Sequence, residues 1–345
     1  MKNIADLHVH MHDYDETSGV KLFDQLYDSG VTEAAIMSLP KYSCLENLSA
    51  LRWKLHPHKL KLRAFGGLHQ FDKFGDILPE VQAEKLLAMG FDGMKFLDMK
   101  PDFRKRVGKG LNDPYYDKMF DMLEERDVPV LLHVNDPEEN WDPEKVSAGA
   151  KAAGWFYGDG THLTKQEIYN EVFELLDKHP NLRVTLAHFY FLSNFREEAI
   201  RVMETYPNVS FDLTPGWEMY LGFSKDIEGW HDFFVKYQDR ILFGTDSNTQ
   251  KRTNDELVGL VDSAITHDAG EFTRHVYGRD ILIRGLALDD VAVAKIRRGN
   301  YERFVGEMKP TSDAILLAAA EEMYASLRED AAYEKEAVWL ADLLG

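Results

Sequence analysis

Five side chains have the types and spacing to act on one divalent ion: His8, His10, His133, His188 and Asp246. His8 and His10 are two residues apart in IADLHVH (4 to 10), a run that reads as a strand. Residues i and i+2 of a strand point to the same side about 6 to 7 Å apart, so both imidazoles can grip one ion. Neutral imidazole and carboxylate suit a borderline metal such as Zn²⁺ and also accept Mn²⁺, Fe²⁺ or Co²⁺. His133 falls in VPVLLHV, His188 in RVTLAHF and Asp246 in RILFGTD, each near the end of a strand-like run. Singly, each has an ordinary reading: a chance HxH pair, two core histidines bonded to carbonyls, an aspartate at a turn or helix N-cap. Together they are hard to explain by packing, because buried unpaired imidazoles and a carboxylate cost several kcal/mol.

The elements that must position these groups follow from hydrophobic periodicity. Eight strand runs are expected at 4–10, 33–38, 62–69, 92–98, 128–134, 183–189, 209–214 and 240–246. Helical stretches fall near 20–29, 45–56, 79–89, 114–126, 164–178, 193–205, 226–237 and 253–266. Eight β/α units in regular order give an α/β chain folded as a (β/α)₈ TIM barrel, whose mouth gathers groups from the strand C-termini. A doubly wound sheet is the runner-up, but the segment after the first strand, HVHMHDYDE, has no glycine for a phosphate turn. Alternation along the first strand is expected to turn Asp6, His8 and His10 to the polar mouth and Ala5, Leu7 and Val9 to the helices.

Two regions exceed a minimal barrel. Residues 135–163 carry Trp141, Trp155, Tyr157 and a GDG turn, and are expected to form a long loop over the strand C-termini. Residues 311–344 have helical periodicity with eight acidic against two basic residues. They are expected to form a helical appendage on the barrel or on a second copy of the chain, which makes a homo-oligomer one expected state. The expected division is a barrel over 1–308 and a C-terminal helical extension over 309–345.

Composition narrows the partners. Forty Lys+Arg against 59 Asp+Glu give a formal charge of −19, which repels a phosphate backbone and argues against nucleic acid. No apolar run approaches the ~20 residues of a membrane span, and the N-terminus does not read as a signal peptide. The single Cys44, read as a structural thiol, suits a reducing compartment, so the expected setting is cytoplasmic with a small molecule as substrate.

DLHVH (6–10), LLHV (131–134), LAHF (186–189), FGTDS (243–247) and GNYERFV (299–305) resemble the amidohydrolase superfamily. The resemblance is to its amidohydrolase-related branch, which includes aminocarboxymuconate-semialdehyde decarboxylase and related decarboxylases, hydratases and lactonases. It covers roughly residues 3–308. It implies that His8, His10, His133 and Asp246 bind one Zn²⁺-like ion, with His188 beside it as acid/base or polarising group. In the binuclear branch a carboxylated lysine from the fourth strand bridges a second ion; Lys95 in GMKFLD lies there, so one ion is the leading count and two the alternative.

Such a metal lowers the pKa of its water toward ~7, and Asp246 can take the water's proton and hand it to a leaving group. Lys95, His69, Trp141 and Tyr157 are the candidates for substrate contact. The leading expectation is a metal-dependent hydrolase of an ester, lactone or amide of a small organic acid. Non-oxidative decarboxylation or hydration on the same metal shell is the alternative, and a cationic pocket would mark an acid substrate. Upstream, Arg52, Arg63 and Lys95 are the cations considered for it. A catalytically silent metal-binding scaffold is the non-enzymatic reading.

Overall fold

Alternating apolar runs and amphipathic helices become a parallel sheet wrapped by helices in a computed structural model that describes residues 2–12, 14–250, 253–276 and 278–345. The first seven strands are Ile4–His10, Val31–Met37, Lys61–Gly66, Gly93–Met99, Val130–Val134, Val184–Leu186 and Val209–Asp212. They pair in chain order. The eighth is interrupted. Its first half, Ile241–Leu242, pairs with the seventh strand, and its second half, Ser247–Asn248, pairs with the first.

Between the halves, Leu7 N donates to Phe243 O at 2.9 Å and Asp246 N donates to His8 O at 2.8 Å. The eighth strand thus bridges the two ends of the sheet, as the TIM-barrel reading requires. The bend sets Asp246, at φ 55°, beside His8.

Side chains from non-neighbouring strands meet inside the ring: Ala5, Leu7, Met37, Phe65, Leu131 and Leu242 share one buried cluster, joined by Tyr301, Phe304 and Val305 from the helix Asn300–Val305. This corrects the expected alternation of the first strand. Asp6 pairs with Ala34 but Val9 pairs with Ile36, so the first strand carries one extra residue there. A bulge of one residue reverses facing. Ala5 and Leu7 accordingly fill the inner cluster while Val9 joins the outer one.

The helices form where their periodicity put them. The clearest start is Thr164, whose hydroxyl accepts Glu167 N while Glu167 reaches back to Thr164 N, a reciprocal cap opening Lys165–Lys178. Elements that were not foreseen include the helix Pro101–Val107 after the fourth strand, the short helix Ala148–Ala152 inside the expected long loop, the helix Trp217–Ser224 after the seventh strand, and an antiparallel hairpin, Glu271–Val276 with Arg279–Arg284.

The tail forms two helices, Asp313–Leu327 and Glu334–Leu344. Leu316, Ala320, Leu327 and Leu340 are buried in the main core, and Lys85 pairs with Glu322 at 2.6 Å. Cys44 is buried, which pushes its thiol up to about 12. Among the described residues no helix is long and apolar enough to cross a membrane.

Candidate metal centre and its cavity

His8, His10 and Asp246 bring one donor atom each to within 4.8 Å of one another. His8 Nε2 lies 3.1 Å from His10 Nε2, and His10 Nε2 lies 3.3 Å from Asp246 Oδ1. The far nitrogens of the two imidazoles are committed elsewhere. His10 Nδ1 is 2.8 Å from the Met37 carbonyl oxygen, which can only accept, so the proton of a neutral ring sits on Nδ1. His8 Nδ1 is 2.8 Å from Asp212 Oδ2, with the same consequence for an ionised carboxylate.

Burial holds both rings well below the ordinary imidazole range, and the nearby Asp246 charge only partly opposes this. Two lone pairs therefore face each other at 3.1 Å next to a carboxylate. That donor set fits a divalent cation of the zinc type, with outer carbonyl and carboxylate partners fixing the tautomers.

His133 is not one of the three. Its Nε2 lies 3.0 Å from Asn135 O and 3.5 Å from Asp136 Oδ1, because Asn135 turns the chain at φ 66° directly after the fifth strand. Its ring stacks edge-on with His188 at 4.7 Å, and His188 is 5.4 Å from His8.

His188 opens a run of four residues, His188–Phe191, all at φ between 52° and 56°. A left-handed turn of non-glycine residues costs roughly 1–2 kcal/mol per residue. Its neighbours hold it in place. Asp212 Oδ1 accepts His188 N at 2.7 Å, and Tyr169 Oη donates to Tyr190 O at 2.7 Å. The Phe189 ring is enclosed by Phe211, Phe223, Trp230, Phe233 and Phe234 at 4.8–5.7 Å. His188 Nδ1 lies 3.2 Å from Thr214 O, so Nε2 carries the lone pair, and burial pushes the ring down to about 4.

A cavity of about 610 Å³ opens over these groups. Lys95 lines it, fully buried, its Nζ 3.2 Å from His8 Nε2 and its pKa lowered by burial to about 8. The other three expected substrate contacts do not line it. His69 is bonded to Asp72 at 2.6 Å and faces a separate cavity beneath the helix Asp313–Leu327. Trp141 donates to Leu163 O at 3.1 Å and packs on Tyr157 at 5.0 Å, while Tyr157 donates to Asp136 at 2.5 Å. These two aromatics form the inner packing of the 135–163 segment, and it is Trp155 that reaches the cavity.

Arg52 and Arg63 are also elsewhere, paired with Glu16 on the outside and with Glu33 in the interior. Sequence reasoning missed Lys41, whose ammonium stands in the cavity wall 4.5 Å from the Tyr42 ring and 4.7 Å from the Phe103 ring. It also missed Asp212, the last residue of the seventh strand, two positions before Thr214.

A family model described as amidohydrolase matches residues 58–306, a span that holds His133, His188 and Asp246 but begins after the first strand. No curated protein matches the sequence. Among solved structures, an uncharacterized TIM-barrel protein from Bordetella bronchiseptica superposes with a TM-score of 0.55 at 14% identity, covering 88% of this chain and all of the other. A 2,6-dihydroxybenzoate decarboxylase in complex with 2,6-dihydroxybenzoate gives 0.53 at 16%, covering 89% and 100%. An IDCase from Metarhizium anisopliae in apo form gives 0.53 at 13%, covering 88% and 97%.

Proposed function

The chain belongs to the amidohydrolase family, and on that premise we propose a metal-dependent hydrolase acting on an ester, lactone or amide of a small organic acid. The observation that carries the metal is the pair of Nε2 atoms 3.1 Å apart beside Asp246. His8, His10 and Asp246 are the ligands in this reading, and His133 and His188 stand beside them toward the substrate. A bound divalent ion of the zinc type acts as a Lewis acid on an oxygen of water or substrate.

The chain's own residues do the rest. Asp246 receives the proton of the attacking water and passes it to the leaving group. His188 takes up a proton at Nε2, because Thr214 O keeps its Nδ1 as donor. Lys95 and Lys41 bind the carboxylate and bring the reacting carbon toward Asp246. A cytoplasmic setting fits the single buried thiol.

A second reading, non-oxidative decarboxylation of the same kind of acid, uses the same carboxylate binding by Lys41 and is supported by the chain's likeness in fold to a decarboxylase. Purified protein assayed on p-nitrophenyl esters and lactones, beside 2,3- and 2,6-dihydroxybenzoate, separates the two. Turnover of the acids alone overturns the hydrolase reading.

A further inference from the structure

Residues 142–156 border the cavity but are lightly attached to the barrel. Their two ends are pinned: Tyr157 N donates to Asn140 O at 2.8 Å, and Tyr157 is bonded to Asp136 and packed on Trp141. Between those ends only Val146 is buried, and the helix Ala148–Ala152 buries none of its residues.

The segment is nonetheless built as a unit. Ser147 caps the helix by accepting Ala150 N at 3.0 Å, and Gly154, at φ 78°, ends it. There Gly154 N donates to Lys151 O at 3.1 Å and Trp155 N to Ala150 O at 2.8 Å, the paired bonds of a Schellman end. Lys145 pairs with Asp142 at 3.0 Å, and Lys151 Nζ donates to Pro143 O at 3.0 Å. Among the described residues, the hydrogen bonds of 143–156 stay within 142–156. A loop with internal bonds, fixed ends and one buried anchor moves at low free-energy cost.

This unit carries Trp155. Its indole is 40% exposed and lines the cavity with Ser147, Gly149 and Ala150. The ring centroid lies 4.5 Å from Lys100 Nζ, an ammonium already held by Asp136 and Tyr157. An indole left partly in water beside a cavity gains by covering an apolar face, and most by stacking on an aromatic one.

We infer that residues 142–156 are a flap that closes on bound substrate and lays Trp155 against it, so that the favoured substrates carry an aromatic ring. The inference rests on the cavity being the substrate site proposed above.

Isothermal titration of the purified full-length protein compares benzoate with cyclohexanecarboxylate, which carries the same charge without a π-face. Benzoate is expected to bind about three- to tenfold tighter. Trp155→Ala should erase that preference without changing the binding of cyclohexanecarboxylate, and Trp155→Phe should keep most of it. Limited trypsin digestion reads the flap itself: saturating benzoate should slow cleavage after Lys145 and Lys151 about tenfold, more than at any other site. Equal binding of the two acids, a preference that survives Trp155→Ala, benzoate binding without protection, or no binding of either acid overturns the inference. Ester or lactone turnover alongside any of those results would leave the proposed function standing and remove the flap alone. Protection by benzoate with no ester or lactone turnover would support the flap and count against the hydrolase.

Discussion

Asp212 holds His8 from behind: its Oδ2 lies 2.8 Å from His8 Nδ1, and its Oδ1 accepts the backbone N–H of His188 at 2.7 Å. One carboxylate thus fixes the tautomer of a proposed ligand and the entry into the left-handed turn carrying the neighbouring histidine. Asp212→Asn keeps an acceptor but removes the charge. Loss of such an outer carboxylate typically weakens metal binding about 10–100-fold. Competition with a chelating dye should show that loss in zinc affinity, with the far-ultraviolet circular dichroism unchanged; affinity within about twofold of the parent would leave Asp212 no role in the centre.

If the substrate is an acid held by Lys41, its binding should depend on pH. Burial lowers its pKa to about 8, with Asp102 opposing most strongly and Lys100 adding to the shift. The ammonium is present below that value and lost as pH rises through it. Benzoate binding is therefore expected to be strongest below about pH 8 and to weaken above it. A hydrogen bond to a charged group contributes about 1.5–3 kcal/mol, so Lys41→Met should weaken benzoate roughly ten- to hundredfold and flatten that alkaline limb. A limb unchanged in Lys41→Met would assign it to Lys95, also lowered to about 8.

The strands were legible because each is a short apolar run between turn signals, and the first is found at Ile4–His10 as read. The meeting of His8, His10 and Asp246 was legible because they sit at strand ends, whereas His133, read with them as a fourth ligand, is not in that group. What escaped depends on local backbone departures that carry no periodicity. The bulge before Val9 is one extra residue in a sequence that still alternates, and the left-handed turn at His188 is written in HFYF without a glycine. Trp141 and Tyr157 looked like cavity aromatics because composition cannot say which ring of a long loop packs inward. Lys41 lay in a turn-like PKYS stretch, where only the positions of Tyr42 and Phe103 reveal an ammonium held between rings.

The turn at His188 should depend on Phe189. Its ring is fully buried among five aromatics, whereas the backbone beneath it is held at φ 52°. Phe→Ala in a core costs about 3–5 kcal/mol, and here it also releases the strained turn. Phe189→Ala should lower the urea midpoint accordingly and weaken zinc binding through the shared Asp212 contact. Phe189→Leu should recover much of the stability; a loss under about 1 kcal/mol in the alanine variant would mean that the hydrogen bonds of Asp212 and Tyr169 suffice to hold the turn.

Metal and fold should be coupled, because the His8 and His10 lone pairs repel unless a cation lies between them. Protein purified without added metal is expected to hold about one equivalent of a divalent transition metal, as three such ligands with an open position suggest. An ion binding only the folded state at a thousand times its Kd adds about 4 kcal/mol, so chelation should lower the unfolding midpoint and zinc should restore it. His10→Ala removes a donor without touching the Asp212 contact, and should abolish both the bound metal and the zinc-dependent rise. Less than about 0.1 equivalent of any transition metal, with no gain in stability or activity on reconstitution, would be too little to occupy even one ligand set. It would reduce the His8–His10–Asp246 cluster to a polar network in which Lys95 Nζ lies 3.2 Å from His8 Nε2.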